Sequence, residues 1–397
     1  MLACTAGACL AFACGAAAPV AAELTWAPVV DAQLASDPGD GGALYLAAMV
    51  ARSRGDRAGA LRVLSRLDAL GWDLGLPDED FAGLGDRRGY REFVRAAAAR
   101  EPHVTSSERL FTVDERTLTP EGIAFDSRTG AYFLGSICGH KIVRVVDGVA
   151  TDLVPGGRDG LGAVLGLHVD ERPGGLLWAV YNPVRSARGG RSGIVGLDPT
   201  TGALRHHATI AGGHLLNDLA ISDAGDIYVT ETMTGAVRRL RAGERELAPF
   251  IAPGTFVYPN GIAWSRDAGR LLVADALGIT VVDAATGARR RLGRGPALSI
   301  GAIDGLAVRG RTLVAVQNGY GLPRIVRFDV DAGLTHVERV QILEAGNPLF
   351  DSPTTGVIAG DGFTYIANSQ VHRCPAGQLV DPGTMQATVV LRAPLPR

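Results

Sequence analysis

The sequence predicts an all-β six-bladed β-propeller preceded by a small α-helical region, and three observations carry that prediction. A hexapeptide with alternating apolar positions recurs six times after residue 105. Each copy is followed by a turn and a second apolar run of strand length. Residues 41–98, by contrast, space their apolar side chains three and four apart, the period of a helix. Composition agrees, since 53 Gly and 21 Pro suit a turn-rich β architecture and 47% hydrophobic residues supply a core. The 39 basic and 41 acidic side chains leave a net charge of −2, without the basic excess of a nucleic-acid binder.

The chain divides into three parts. Residues 1–22 carry no charge and end in small residues, Pro19-Val20-Ala21-Ala22, which resembles a signal-peptide core and cleavage site. The basic residues that usually precede such a core are missing, the first being Arg52. The expectation is a periplasmic or secreted protein. No later stretch is apolar for long enough to span a membrane. Residues 23–104 form the helical part. Leu44, Ala47, Ala48 and Ala51, then Ala60, Leu61, Leu64 and Leu67, mark two helices broken at Gly55-Asp56. This pair resembles one tetratricopeptide-type hairpin, and a further helix is expected near 80–98. A lone hairpin cannot bury its own apolar face. The expectation is therefore a cap packed on the next domain, with a groove for a protein partner as the alternative.

Residues 105–397 form the propeller. The hexapeptide reads EGIAFD from Glu121, LGLHVD from Leu165, NDLAIS from Asn217, NGIAWS from Asn260, DGLAVR from Asp304 and TGVIAG from Thr355, at intervals of 43–52 residues. Second strands are expected at 131–136, 176–181, 226–231, 271–275, 312–317 and 363–369. Third strands are expected at 141–146, 193–198, 236–240 and 324–329. Six in-phase copies of a three- to four-stranded unit are what a six-bladed propeller requires.

In such a fold the first strand of each blade lines the central channel. The first hexapeptide positions therefore ring one mouth, and four of the six are oxygen donors: Glu121, Asn217, Asn260 and Asp304. Carboxylate and amide oxygens without Cys or His suit a hard divalent cation. Ca²⁺ is the first choice, with Mg²⁺, Mn²⁺ and Zn²⁺ as alternatives.

The phrases Thr119-Pro120-Glu121-Gly122, Leu216-Asn217-Asp218, Pro259-Asn260-Gly261-Ile262-Ala263-Trp264-Ser265 and Ile303-Asp304-Gly305-Leu306 resemble the gluconolactonase/regucalcin (senescence-marker-protein-type) family over residues 105–395. The resemblance implies that Glu121, Asn260 and Asp304 hold a divalent metal. It implies that Asn217 is a ligand, or orients water and substrate. Paraoxonases and strictosidine-synthase-like proteins share the architecture. Paraoxonases carry a His where this chain has Leu165, and His168 and His214 are expected to be bystanders.

Second strands return to the same mouth, placing Ser136, Tyr181, Glu231, Asp275, Gln317 and Asn368 near the rim. Tyr181, Gln317 and Asn368, together with Asn217, are the candidate substrate contacts. Cys138 and Cys374 follow the second strands of the first and last blades, which a closed ring makes neighbours. Two reduced, partly buried thiols are the default expectation, and a ring-locking disulfide the alternative. Neither lies in a CxxC pair, so a structural zinc site has no support.

These readings lead to a metal-dependent hydrolase of a small-molecule lactone or ester, with Asp304 as the catalytic base. The alternatives are a non-catalytic ligand- or protein-binding propeller with a structural metal, and a strictosidine-synthase-like enzyme.

Overall fold

The computed structural model describes residues 26–77, 80, 81, 83–183, 190–210 and 214–395. The leader expected at 1–22 lies outside the described residues. Among the described residues four helices come first: α1 (Ala27–Ser36), α2 (Gly41–Ser53), α3 (Arg57–Ala69) and α4 (Arg88–Ala98). The side chain of Asp40 caps α2 by accepting from Ala43 N at 3.1 Å, and Asp56 caps α3 through Gly59 N at 2.7 Å. Gly55, with φ +80°, makes the left-handed turn between α2 and α3.

The burial of α2 runs almost all round the helix, from Gly41 to Leu46 and on through Ala48 and Val50. A helix apolar on every side needs partners on every side. The other helices supply some, and the propeller supplies the rest. Tyr45, Trp72 and Phe81 pack with Tyr320, and Val257 and Leu277 join the same core. The faces an isolated hairpin would leave open are thus filled by this chain's own propeller loops.

Six four-stranded antiparallel sheets follow. Their first strands are Pro120–Asp126, Ala163–Val169, Leu216–Ile221, Ile262–Ser265, Ile303–Arg309 and Gly356–Ala359, each touching the next around a closed ring. The second strands form where the sequence places them, except that the last ends early, at Ile366. Blade 6 borrows its outer strand from the start of the propeller. Glu108–Val113 pairs antiparallel with Thr388–Pro394, with Val113 opposite Thr388 and Glu108 opposite Arg392. That pairing closes the ring non-covalently.

A covalent closure lies beside it. Cys138 and Cys374 form a disulfide with their Cα atoms 6.1 Å apart, inside the span a bridge tolerates. This corrects the expectation of two reduced thiols. Adjacency of the first and last blades, which no local pattern encodes, brings the sulfurs together.

Among the described residues, no helix is long and apolar enough to cross a membrane.

Candidate functional site

The hexapeptide has a steric logic that builds the site. A Cβ on Gly122 would lie 2.1 Å from Leu165 O, and one on Gly166 would lie 2.7 Å from Asn217 O. A Cβ on Gly261 would meet Asp304 O at 2.6 Å, and one on Gly305 would meet Thr355 Cα at 2.7 Å. These four second-position glycines therefore let their strands pack against the first hexapeptide residue of the next blade, whereas Gly356 makes room for the Phe363 ring of its own blade. The close approach draws Leu165, Asn217, Asp304 and Thr355 in around the channel.

The ladder between first and second strands also slips at these positions. Register shifts fall between Pro120 and Gly122, Val164 and Leu167, Leu216 and Leu219, and Ile303 and Leu306. A bulge of this kind re-aims a side chain out of the regular alternation. Backbone strain sits just upstream. Thr119, Tyr258 and Ala302 have φ of 42°, 51° and 53°, each two residues before Glu121, Asn260 and Asp304 respectively. Left-handed geometry costs a non-glycine residue roughly 1–3 kcal/mol and persists only where its surroundings impose it.

All four candidate donors are buried, with exposures of 5% for Glu121, 2% for Asn217 and Asn260, and 1% for Asp304. Asp304 Oδ1 accepts from Asn260 Nδ2 at 2.7 Å, and its Oδ2 accepts from Asn318 Nδ2 at 2.6 Å. Asn217 Nδ2 donates to Thr232 Oγ1 at 3.1 Å. Glu121 Oε2, Asn217 Oδ1 and Asn318 Oδ1 are buried and accept no hydrogen bond. Burial pushes the Glu121 carboxyl well above the usual range, and the like charges of Asp304 and Asp218 push it further.

Two members of this cluster escaped the sequence reading. Asn318 lies one residue beyond Gln317, and it links Asp304 to Pro353 O in the next blade at 2.8 Å. Asp218 stands where the other central blades have glycine. Its carboxylate takes the N–H of Leu219 at 2.8 Å and of Ile262, in the next blade, at 3.3 Å. Burial raises its carboxyl from 3.8 to about 7 against those two bonds. The departure from glycine in Asn217-Asp218 is the signal that marks it.

The three rim candidates bond within the protein. Tyr181 OH meets His207 Nε2 at 2.6 Å on the outer strand of its blade. Gln317 bonds Gly301 O at 2.7 Å and accepts from Arg324 Nε at 2.7 Å. Asn368 pairs with Ala387 O at 2.9 Å and Val389 N at 2.6 Å. Their partners are loops and third or fourth strands, so these side chains are not part of the cluster around Asp304.

Glu231 is buried between His214 Nδ1 and Arg238 Nε, the latter at 2.8 Å. Burial pushes its carboxyl up, but the bonds from His214 and Arg238 win and hold it below the usual range. His168 lines the channel, a cavity of about 650 Å³ that reaches from Asp218, Gly305 and Thr355 to the turns at Glu171 and Gly310. Among the described residues, no group of three or more His, Cys, Asp or Glu side chains forms a metal cluster. Any cation at this mouth would need amide as well as carboxylate oxygens.

No family model and no curated protein matches the chain. Solved structures do. A protein from Thermus thermophilus described as a putative oxidoreductase (glucose dehydrogenase) superposes with a TM-score of 0.50 at 18% identity, over 72% of this chain and 99% of that one. A gluconolactonase from Xanthomonas campestris gives 0.48 at 18%, over 72% and 89%. An aldose sugar dehydrogenase from Streptomyces coelicolor gives 0.48 at 16%, over 73% and 99%. At 18% identity the first of these likenesses is one of fold alone; the six-bladed β-propeller is read from the six four-stranded sheets themselves.

Proposed function

We propose that the chain is a divalent-cation-dependent hydrolase of a lactone or ester, working at the channel mouth built from Glu121, Asn217, Asn260 and Asp304. The observation that carries this reading is a charge imbalance. Glu121 is buried with Oε2 unbonded, and the charges acting on it, from Asp304 and Asp218, have its own sign. A hard dication among these oxygens would relieve that repulsion, and the unbonded Oδ1 of Asn217 adds a neutral donor beside them. An oxygen-only donor set suits the hard cations Ca²⁺, Mg²⁺ and Mn²⁺ better than Zn²⁺, and Ca²⁺ is the cation we propose.

When bound, such a cation supplies Lewis-acid polarisation of the substrate carbonyl. The residues do the rest. Asn260 and Asn318 fix the plane of the Asp304 carboxylate through one bond to each oxygen. Asp304 takes a proton from a water whose oxygen attacks the acyl carbon. The acyl C–O bond then breaks, and the proton passes to the leaving alkoxide, giving a hydroxy acid from a lactone. The Cys138–Cys374 bridge supports export, since such bonds persist in oxidising compartments.

A panel of aliphatic lactones and aryl esters, assayed with and without chelator, tests the reading. Hydrolysis that is lost on chelation and regained with Ca²⁺ is the expected result. Turnover indifferent to chelator would overturn the metal's role. Bound metal without turnover on any member would remove the hydrolase.

A further inference from the structure

The helices do not rest on an arbitrary part of the propeller. Their core takes in Val257, Leu277 and Tyr320, with Tyr258, Ala276 and Ala302 packed against it. All six lie in loops of blades 4 and 5 at the mouth where the oxygen donors converge. Tyr258 is two residues before Asn260, Ala302 two before Asp304, and Tyr320 two after Asn318. The first two of these contacts are also left-handed residues.

The loops are laced to one another by backbone bonds. Ala276 N donates to Val257 O at 2.8 Å, and Ala302 N donates to Asp275 O at 3.2 Å. Asn318 N and Gly319 N both reach Ala302 O at 3.2 Å. The helical side then ties down this shelf at several points. Trp26 Nε1 donates to Tyr258 OH at 3.3 Å, and the single Tyr45 hydroxyl hydrogen is shared between Asp80 Oδ2 and Tyr320 O, the latter at 3.0 Å. Gly41 N meets Leu298 O, and Leu322 N meets Leu74 O, both at 3.0 Å. Asp37 pairs with Arg294 at 2.7 Å. The Glu121 side of the ring is held differently, by Thr354 Oγ1 and Thr355 Oγ1 donating to Glu121 O.

We propose that the helical segment 26–98 is a clamp that positions Asn260, Asp304 and Asn318 by holding Tyr258, Ala302 and Tyr320 in place. Tyr45 and Trp26 are its positioning residues. Two adjacent strained backbone sites need surroundings that impose them, and the helices supply those surroundings on one half of the ring only. The clamp itself rests on packing and hydrogen bonds. Its consequence for cation affinity rests on the function proposed above.

Hydrogen–deuterium exchange on the full chain separates the two. Tyr45→Phe keeps the ring packed against Trp72, Phe81 and Tyr320 but deletes the hydroxyl. Peptides spanning 256–263 and 300–306 should then exchange at least tenfold faster, while 119–124, the matching loop of blade 1, stays unchanged. Calorimetric Ca²⁺ affinity should fall at least fivefold with the melting of the propeller unaltered. Unchanged exchange at 256–263 and 300–306, or an equal rise at 119–124, would overturn the clamp. Should Tyr45→Phe fail to fold, Trp26→Phe, which removes the Nε1 donor to Tyr258 together with part of the ring packed beside it, is read in the same way. Wild-type protein that binds no Ca²⁺ yet shows the expected exchange pattern would sink the metal reading and leave the clamp standing.

Discussion

Asp304, fully buried, and Asp218, partly exposed to the channel, are both carboxylates at the mouth, and the structure gives them different work. Asp304 is held by two amides, which fixes its orientation without neutralising it. Replacing it with Asn keeps the shape but removes the charge and the proton acceptor. Asp304→Asn should lower hydrolysis at least a hundredfold, the usual scale for a general base, while its melting temperature in chelator stays close to that of wild type in chelator. Full turnover in that variant would reduce Asp304 to a strand-start residue. Asp218 makes a pH-dependent prediction. Its folded carboxyl, at about 7, lies above the unfolded value near 3.8. In metal-free protein its stabilising contribution is full below pH 4 and is lost as pH rises through 7. The loss is on the order of 4 kcal/mol, at about 1.4 kcal/mol per unit. Asp218→Asn cannot ionise, so in chelator it should melt with wild type below pH 4 and several degrees above it at pH 8. A gap independent of pH would contradict the shift. Of this chemistry, Glu121, Asn217, Asn260 and Asp304 were legible because symmetry repeats their position. Asp218 was hidden in a position read only as a broken glycine pattern, and Asn318 lay one residue past the expected end of its strand.

Inner strands and outer strands differ in what they reveal. The first and second strands of each blade are buried between neighbours, so their apolar runs stand out from the turns. Outer strands face solvent, and Arg289–Arg291 has no apolar side chain at all. The outer strand of blade 6 was invisible for another reason. Its partner lies near the other end of the chain, and no local pattern announces a pairing across that distance. The disulfide depends on the same closure. It spans 236 residues, for which the chain-entropy model gives about 5 kcal/mol. Cys374→Ser should therefore melt about 10 °C lower, at the few degrees per kcal/mol typical of a large domain. Alkylation of the unfolded, unreduced protein should leave the Cys138 and Cys374 peptides unmodified. Modification of both would show that the bridge does not form.

The helices and the propeller act as one body at the mouth. The helical pattern in 41–98 was readable from spacing, and the need for a covering surface followed from a lone hairpin's exposed face. Its seat on blades 4 and 5 was not readable, because Val257, Leu277 and Tyr320 lie in loops whose apolar side chains carry no period. That seat links the segment least explained by the repeat to the donors the repeat predicts. Every functional consequence drawn above depends on the mouth holding a cation. The most direct measurement is isothermal titration of Ca²⁺ into chelator-treated full-length protein, wild type beside Asp304→Asn, with elemental analysis of the untreated wild type. One cation per chain in the wild type, with binding lost or severely weakened in Asp304→Asn, is the predicted result. A wild type with no bound metal and no heat of Ca²⁺ binding would contradict the account.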